Sequence, residues 1–388
     1  MNPQRIAAEL ARLEQQHLAR RRRIIDSPCG PHMVVDGRPC LAFCSNDYLG
    51  LAGHPDLVAA LCDGARRWGA GSGASHLVSG HLRPHEELEQ RLAEFAGMPR
   101  ALLFSAGYLA NLGVVPALVG RGDAIFADRL NHASLIDAAQ ASGAQHRRYA
   151  HGDTAALERL LAADGTGDRL ILSDAVFSMD GDLAPLPRLL ELAQRYDAWL
   201  VIDDAHGFGV LGPQGRGSLA HFGLAASERT LYVGTFGKAA GLAGAFVAGH
   251  DNVIEWLAQR ARTHVFTTAP PPALSCALMK SLDLIAAADE RRARLRQLVG
   301  RLRRGLAGPA AERGWRLADS PTPIQPIVVG GNAAALALSA ALEARGIWVP
   351  AIRPPTVPSG TARLRVSLSA AHDEADVDAL LGALQEAR

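Results

Sequence analysis

Trp199-Leu200-Val201-Ile202-Asp203-Asp204-Ala205-His206-Gly207 sets a short apolar run against two carboxylates, an imidazole and a glycine. The run fits a strand buried on both faces, and the polar residues that follow end it. Asp203 then stands where the strand stops, with its carboxylate at the strand's carboxyl end. An aspartate there can keep a pyridinium nitrogen protonated and so make an aromatic ring an electron sink. His206, three residues on, can reach a substituent of that ring. Taken alone, Asp203 reads more simply as a cap on the turn after the strand.

Comparable apolar runs lie to either side, at residues 101–104, 124–127, 170–173, 230–234 and 244–248, with amphipathic stretches between several of them, such as 186–196. Buried strands alternating with helices predict an α/β fold: a mainly parallel sheet flanked by helices, with ligands beyond the carboxyl ends of the strands. Further on, the pattern predicts a helix over 272–304, a strand at 324–329, a helix at 333–345, strands at 347–351 and 364–369, and a helix at 373–387. That is a second, smaller α/β lobe. The expected division is an N-terminal segment, 1–45, packing with the small lobe, a large domain at 46–282, and the small domain at 283–388.

Three other strand ends carry reactive residue types. Tyr232-Val233-Gly234-Thr235-Phe236-Gly237-Lys238 presents a lysine on a glycine-containing turn, in a chain whose basic residues are nearly all arginine. Lysine is the residue type for Schiff-base chemistry, although most lysines are merely solvated. Ser105-Ala106-Gly107-Tyr108-Leu109-Ala110-Asn111 is a small-residue turn opening a helix, which offers N–H groups to a phosphate. Asp128-Arg129-Leu130-Asn131-His132-Ala133-Ser134 places a histidine that can stack on an aromatic cofactor, or serve structurally.

The 388 residues are 48% hydrophobic, enough for a sizeable core, and 40 basic against 39 acidic side chains leave a net charge of +1. That balance gives no reason to expect nucleic acid or a membrane surface as partner. Residues 1–23 read as a charged amphipathic helix rather than an apolar leader, and no run reaches the roughly 20 apolar residues of a membrane span. A cytoplasmic location is expected. Arg20-Arg21-Arg22-Arg23 reads as a solvated helix end or an anion contact. The five cysteines are irregularly spaced and fit reduced thiols; no metal site is expected. Gly207-Phe208-Gly209-Val210-Leu211-Gly212 matches the dinucleotide fingerprint G-x-G-x-x-G. However, Pro213-Gln214-Gly215-Arg216-Gly217 follows where that motif needs a helix, so a nicotinamide-dependent dehydrogenase is a distant alternative.

In order along the chain, the phosphate turn, histidine, aspartate and lysine match the pyridoxal phosphate (PLP) enzymes of fold type I. The sequence resembles the α-oxoamine synthases along nearly its whole length. The residues that carry the resemblance are Ser45-Asn46-Asp47-Tyr48-Leu49-Gly50-Leu51, Gly71-Ser72-Gly73-Ala74-Ser75 with Val78-Ser79-Gly80, Phe177-Ser178-Met179-Asp180-Gly181-Asp182, Asp203 to Gly207, Thr235 to Lys238, and Ala351-Ile352-Arg353-Pro354-Pro355-Thr356-Val357-Pro358 followed by Gly360-Thr361-Ala362-Arg363-Leu364-Arg365.

The resemblance implies that Lys238 carries pyridoxal 5'-phosphate and moves protons at the substrate's α-carbon. It implies that Asp203 pairs with the pyridine nitrogen, His206 and Ser178 lie at the ring oxygen, and His132 stacks on the ring. Gly107 and Tyr108 would hold the phosphate through their backbone, with Thr235 near it, and Thr268 would reach it from the neighbouring subunit of a homodimer with shared active sites. Arg365 would bind the amino acid carboxylate, with Arg21, Asn46, Ser75 and Thr356 also near substrate. The last stretch points to the member of the family that joins L-alanine to a pimeloyl thioester of coenzyme A or acyl carrier protein. Sister activities, glycine C-acetyltransferase and 5-aminolevulinate synthase, use glycine. Ala239-Ala240 depart from the glycine usual after the lysine, as do His76 and the run Ala269-Pro270-Pro271-Pro272 from the family pattern.

Overall fold

A computed structural model describes residues 2–165 and 167–387. The chain starts with helix Pro3–Gln15, capped by Asn2, whose side chain accepts the Arg5 N–H at 2.9 Å. The helix expected over 1–23 ends earlier because His17 adopts a left-handed backbone (φ 57°), which terminates a helix. Arg20 to Arg23 are therefore not helical. Arg23 is tied down by Asp36 and Glu343, the latter at 2.7 Å. Strands β1 (His32–Val35) and β2 (Arg38–Ala42) follow as a hairpin.

Next come β3 (Arg100–Phe104), β4 (Ala124–Asp128), β5 (Gln145–Tyr149), β6 (Arg169–Asp174), β7 (Trp199–Asp203), β8 (Thr230–Thr235) and β9 (Ala245–Gly249). They form one sheet in the order β3-β9-β8-β7-β6-β4-β5, in which only β9 runs against the others. The register sets Asp174 beside Asp203 and Asp203 beside Val233, so three strand ends form a row. β5 was not among the expected strands: its Gln-His-Arg-Arg-Tyr sequence buries only Tyr149, as suits a sheet edge. Leu102, Val114, Leu135, Ile125, Leu172, Val201 and Val247 pack between this sheet and helices Gly107–Leu118 and Ala133–Ser142. Truncating one of them, as in Leu172→Ala, costs about 2–5 kcal/mol.

The helix expected over 272–304 is two helices, Pro272–Ala286 and Asp289–Glu312. At the break, the Ile285 carbonyl in the last turn of the first helix accepts both the Ala288 N–H at 3.1 Å and the buried Arg292 guanidinium at 2.7 Å. Beyond lie β10 (Arg316–Leu317), β11 (Ile324–Gly330), helix Asn332–Glu343, β12 (Ile347–Trp348), β13 (Ala351–Ile352), β14 (Ala362–Ser367) and helix Glu374–Glu386. β12 extends the hairpin sheet through β2, whereas β10-β11-β14-β13 form a separate antiparallel sheet. The single strand expected over 347–351 is split at Pro350, which has no N–H to give a ladder. The chain groups into two compact units, Met1–Tyr48 with Met179–Asp182 and Ala293–Arg388, and Leu49–Ser178 with Leu183–Arg292. Among the described residues, no helix is long and apolar enough to cross a membrane.

Candidate active site

In the unit built on the large sheet, the row of strand ends gathers the reactive groups. Asp203 ends β7, with one carboxylate oxygen accepting the Ala205 N–H at 3.0 Å and the other accepting Asn111 Nδ2 at 2.7 Å. Asp204 has the opposite surroundings. It is fully enclosed and accepts the Ser218 N–H and Oγ–H, both at 2.6 Å, and the Tyr232 hydroxyl at 2.9 Å. Burial still pushes its carboxyl up to about 6. Asp204 thus fastens the turn, and Asp203 is the carboxylate at the strand-end row. His206, on the same turn, is buried.

Asp174, at the end of β6, accepts the His132 backbone N–H at 2.6 Å. Burial, and then the negative charge of Asp203, raises its carboxyl well above the usual range. The His132 ring is held below its ordinary value by burial, with the attraction of Asp203 opposing and the Lys238 ammonium adding to the shift. His132 is therefore neutral at neutral pH. Its Nδ1 accepts the Ser134 N–H at 3.3 Å and lies 2.8 Å from Ser134 Oγ, which leaves the ring proton on Nε2. Lys238 is half-buried on the turn after β8.

A cradle for an anion lies at the start of helix Gly107–Leu118. Its N-cap is Ala106, which has no side-chain acceptor to spend on the first-turn N–H groups. A Cβ built on Gly107 would stand 3.7 Å from Thr235 Oγ1, so bare backbone and a hydroxyl face each other. Thr235 Oγ1 itself donates to the Gly244 carbonyl at 3.0 Å. Tyr108 is exposed and gives its hydroxyl proton to the Asp137 carboxylate. Ser178 follows the buried Ala175-Val176-Phe177, and Ser75 pairs in a β-bridge with the exposed Thr268. This set fits pyridoxal phosphate: backbone N–H groups for the phosphate, a carboxylate for the ring nitrogen, a neutral imidazole for the ring face and an amine for the aldehyde.

In the other unit, Arg365 on β14 is buried and donates to Ser367 Oγ at 2.8 Å and Asn46 Oδ1 at 3.2 Å. Asn46 also accepts the Tyr48 hydroxyl at 3.1 Å. Arg21 is exposed and lines an open cavity of about 800 Å³ with Arg23, Arg38, Trp348 and Arg353. Thr356 is exposed and accepts from Arg20 at 3.2 Å, not from Arg21. In the same unit, the segment Met179–Asp182 is stapled by Arg363, which donates to Asp180 at 2.7 Å, and by Ser320, which donates to the Gly181 carbonyl at 2.8 Å. Gly181 has φ 75°, and a Cβ there would meet Ser320 Oγ at 2.4 Å, so glycine is required.

Other features stand apart from the site. A cavity of about 360 Å³ between Met98, Arg216 and Ser227 borders Thr230, at the amino end of β8, the edge opposite the row. His76, His81 and His85 bring ring nitrogens within 4.8 Å of one another. Both nitrogens of His85 are engaged, by the Leu82 N–H at 3.0 Å and the Pro270 carbonyl at 2.8 Å, and His81 Nε2 faces Glu86 at 3.2 Å. Within the trio, His76 and His81 are hydrogen-bonded to each other, Nδ1 to Nδ1 at 2.8 Å, and His85 adds ring contacts to both. The G-x-G-x-x-G run is followed only by the short turn Pro213–Gly215 and the four-residue helix Ser218–His221, so the dinucleotide fingerprint lacks its helix. The sequence motifs passed over Asn111, Asp174 and Ser134. Asn111 lies four residues after Gly107, on the same helix face, and Asp174 ends an apolar strand just as Asp203 does. Those were the signals available.

The sequence profile of "Aminotransferase class I and II" matches residues 38–384. The 8-amino-7-oxononanoate synthase of Herminiimonas arsenicoxydans is 64% identical over 387 residues, covering 99% of each chain. The chain belongs to the 8-amino-7-oxononanoate synthase family. Among solved structures, a serine palmitoyltransferase from S. paucimobilis, bearing a PLP–myriocin aldimine, is similar with a TM-score of 0.90 at 30% identity, covering 98% of this chain and 96% of that one. An 8-amino-7-oxononanoate synthase from Francisella tularensis is similar with a TM-score of 0.77 at 30% identity, covering 89% and 97%. Ala239 is buried, and a Cβ on Gly209 would lie 2.9 Å from its methyl, so the bare Gly209 makes the room that Ala239 fills.

Proposed function

We propose that the chain is a PLP-dependent acyltransferase of biotin biosynthesis that condenses L-alanine with a pimeloyl thioester, of coenzyme A or acyl carrier protein, to give 8-amino-7-oxononanoate, CO2 and free thiol. The observation that carries this reading is the row of strand ends bringing Asp203, Asp174, His132 and Lys238 together, in a chain similar from end to end to enzymes of that name. Bound there, PLP supplies an aldehyde for imine exchange and a protonated ring that stores the electron pair released at the amino acid's α-carbon.

The protein's own groups do the rest. The Lys238 amine would hold the cofactor's aldehyde carbon and, as a free amine, would carry the α-proton away. Asp203 keeps the ring nitrogen protonated, neutral His132 covers one ring face, and His206 and Ser178 lie at the ring oxygen. The backbone N–H groups of Gly107 and Tyr108 hold the phosphate, with Thr235 near it. Arg365 takes the alanine carboxylate, and Asn46, Arg21, Ser75 and Thr356 serve as further substrate contacts. The α-carbon loses its proton, bonds to the thioester carbonyl and expels the thiol. Loss of CO2 and return of one proton complete the balance. Thr268 serves the neighbour's phosphate in a homodimer.

A substrate matrix tests this reading: alanine, glycine and serine against pimeloyl, acetyl and succinyl thioesters, scored by thiol release. Alanine with the pimeloyl thioester should lead. One methyl group in a fitted pocket separates alanine from glycine by about 10- to 200-fold in kcat/KM. Comparable values for glycine with acetyl-coenzyme A would move the chain to a sister activity.

A further inference from the structure

Asn111 is completely buried on the helix that opens the phosphate cradle, and its amide is used asymmetrically. The Nδ2 group makes two bonds, to Asp203 Oδ2 at 2.7 Å and to Ser134 Oγ at 2.9 Å. Oδ1 is equally enclosed and meets no hydrogen-bond partner among the described residues. A buried carbonyl oxygen left unpaired is costly and calls for a reason. Turning the amide over would set Oδ1 against the Asp203 carboxylate, acceptor against acceptor. The orphaned oxygen is thus the consequence of pointing both N–H bonds at two particular groups.

Those two groups lead to both faces of the cofactor chemistry. Asp203 receives one N–H directly. Ser134 Oγ receives the other, so its own proton is free to go to His132 Nδ1, 2.8 Å away. The Ser134 N–H points at the same nitrogen. With two donors on Nδ1, the His132 proton sits on Nε2. We propose that Asn111 is the positioning residue of the site: one amide orients the Asp203 carboxylate directly and the His132 ring through Ser134. The inference rests on the reading of Asp203 and His132 as cofactor contacts, and it adds the group that fixes their geometry relative to each other.

The test compares wild type with Asn111→Leu, which keeps much of the volume and removes both donors, and with Asn111→Ser, which keeps one hydroxyl on a shorter stem. Wild-type apoprotein titrated with PLP comes first: failure to bind there refutes the underlying functional reading rather than this one. PLP affinity should then fall about tenfold to a hundredfold in Asn111→Leu, the range expected for losing a hydrogen bond to a charged group. Asn111→Ser should fall less. The second readout needs no cofactor. In apoprotein labelled with 15N-histidine, the His132 signal, assigned by its loss in His132→Gln, should report a proton on Nε2 in wild type and mixed tautomers in Asn111→Leu. Wild-type PLP affinity and an unchanged His132 signal in folded Asn111→Leu would overturn the proposal. Should circular dichroism find Asn111→Leu unfolded, the decision falls to Asn111→Ser and to wild type itself, where a His132 proton on Nδ1 would overturn it equally.

Discussion

Asp203 and Asp204 are neighbours in the chain with opposite fates. Asp204 spends its oxygens on Ser218 and Tyr232, while Asp203 stands in the strand-end row beside Asn111 and Asp174. Asp203→Asn keeps the shape and removes the charge that holds a ring nitrogen protonated. PLP should still bind, whereas exchange of the alanine α-hydrogen in deuterated water should slow on the order of a hundredfold or more, each 1.4 kcal/mol of barrier being about tenfold. Exchange at the wild-type rate with cofactor bound would return Asp203 to the role of a turn cap. A second residue-scale expectation concerns Glu89, whose carboxyl accepts the Leu103 N–H at 2.8 Å and is pushed up to about 8, chiefly by burial. Because the folded value exceeds the unfolded one, its contribution is most favourable below about pH 4.5 and is lost as pH rises toward 8. Glu89→Gln should flatten that loss in urea melts run from pH 5 to 8, by roughly 1–3 kcal/mol at the upper end. A parallel pH dependence in wild type and variant would contradict it. Lys238, Asp203 and His132 were legible in the sequence because each follows an apolar run that ends abruptly. Asp174 also ends an apolar run, but only the sheet register sets it beside Asp203, and only the helix face brings Asn111 there.

Helix Gly107–Leu118 shows what an element contributes: a start with no side-chain cap, and a glycine whose missing Cβ leaves a gap opposite Thr235. At 3.7 Å from Thr235, the methyl of Gly107→Ala meets only ordinary contacts, and alanine is the better helix former. The apoprotein should therefore melt at the wild-type temperature or slightly above, while PLP binds about tenfold more weakly because the methyl occupies the anion cradle. Calorimetry of the apoprotein and a PLP titration check the two halves, and unchanged affinity would mean the phosphate lies elsewhere. The central strands were readable from hydrophobicity alone because both their faces are covered. The edge strand β5 was hidden by its polar sequence. The break between helices Pro272–Ala286 and Asp289–Glu312 was hidden because the residue that marks it, Arg292, looks in sequence like one more charged residue on a long helix.

At the scale of the whole molecule, Leu77, Val78 and Phe266 are 51%, 78% and 71% exposed beside the Ser75–Thr268 bridge, an apolar surface where the proposed homodimer shares its sites. Sedimentation should find a dimer at micromolar concentration, and Val78→Asp with Phe266→Asp should yield monomer with weakened PLP binding. A fully active wild-type monomer would contradict shared sites. The chain's scarcity of lysine makes the central claim unusually easy to test. Lys238, on the strand-end row, and Lys280, within helix Pro272–Ala286, are its only lysines. Borohydride reduction of the PLP-loaded protein, followed by peptide mapping, should place the cofactor on the peptide containing Lys238, close to one per chain. Label on Lys280 or on the terminal amine, or no stable label at all, would contradict the account.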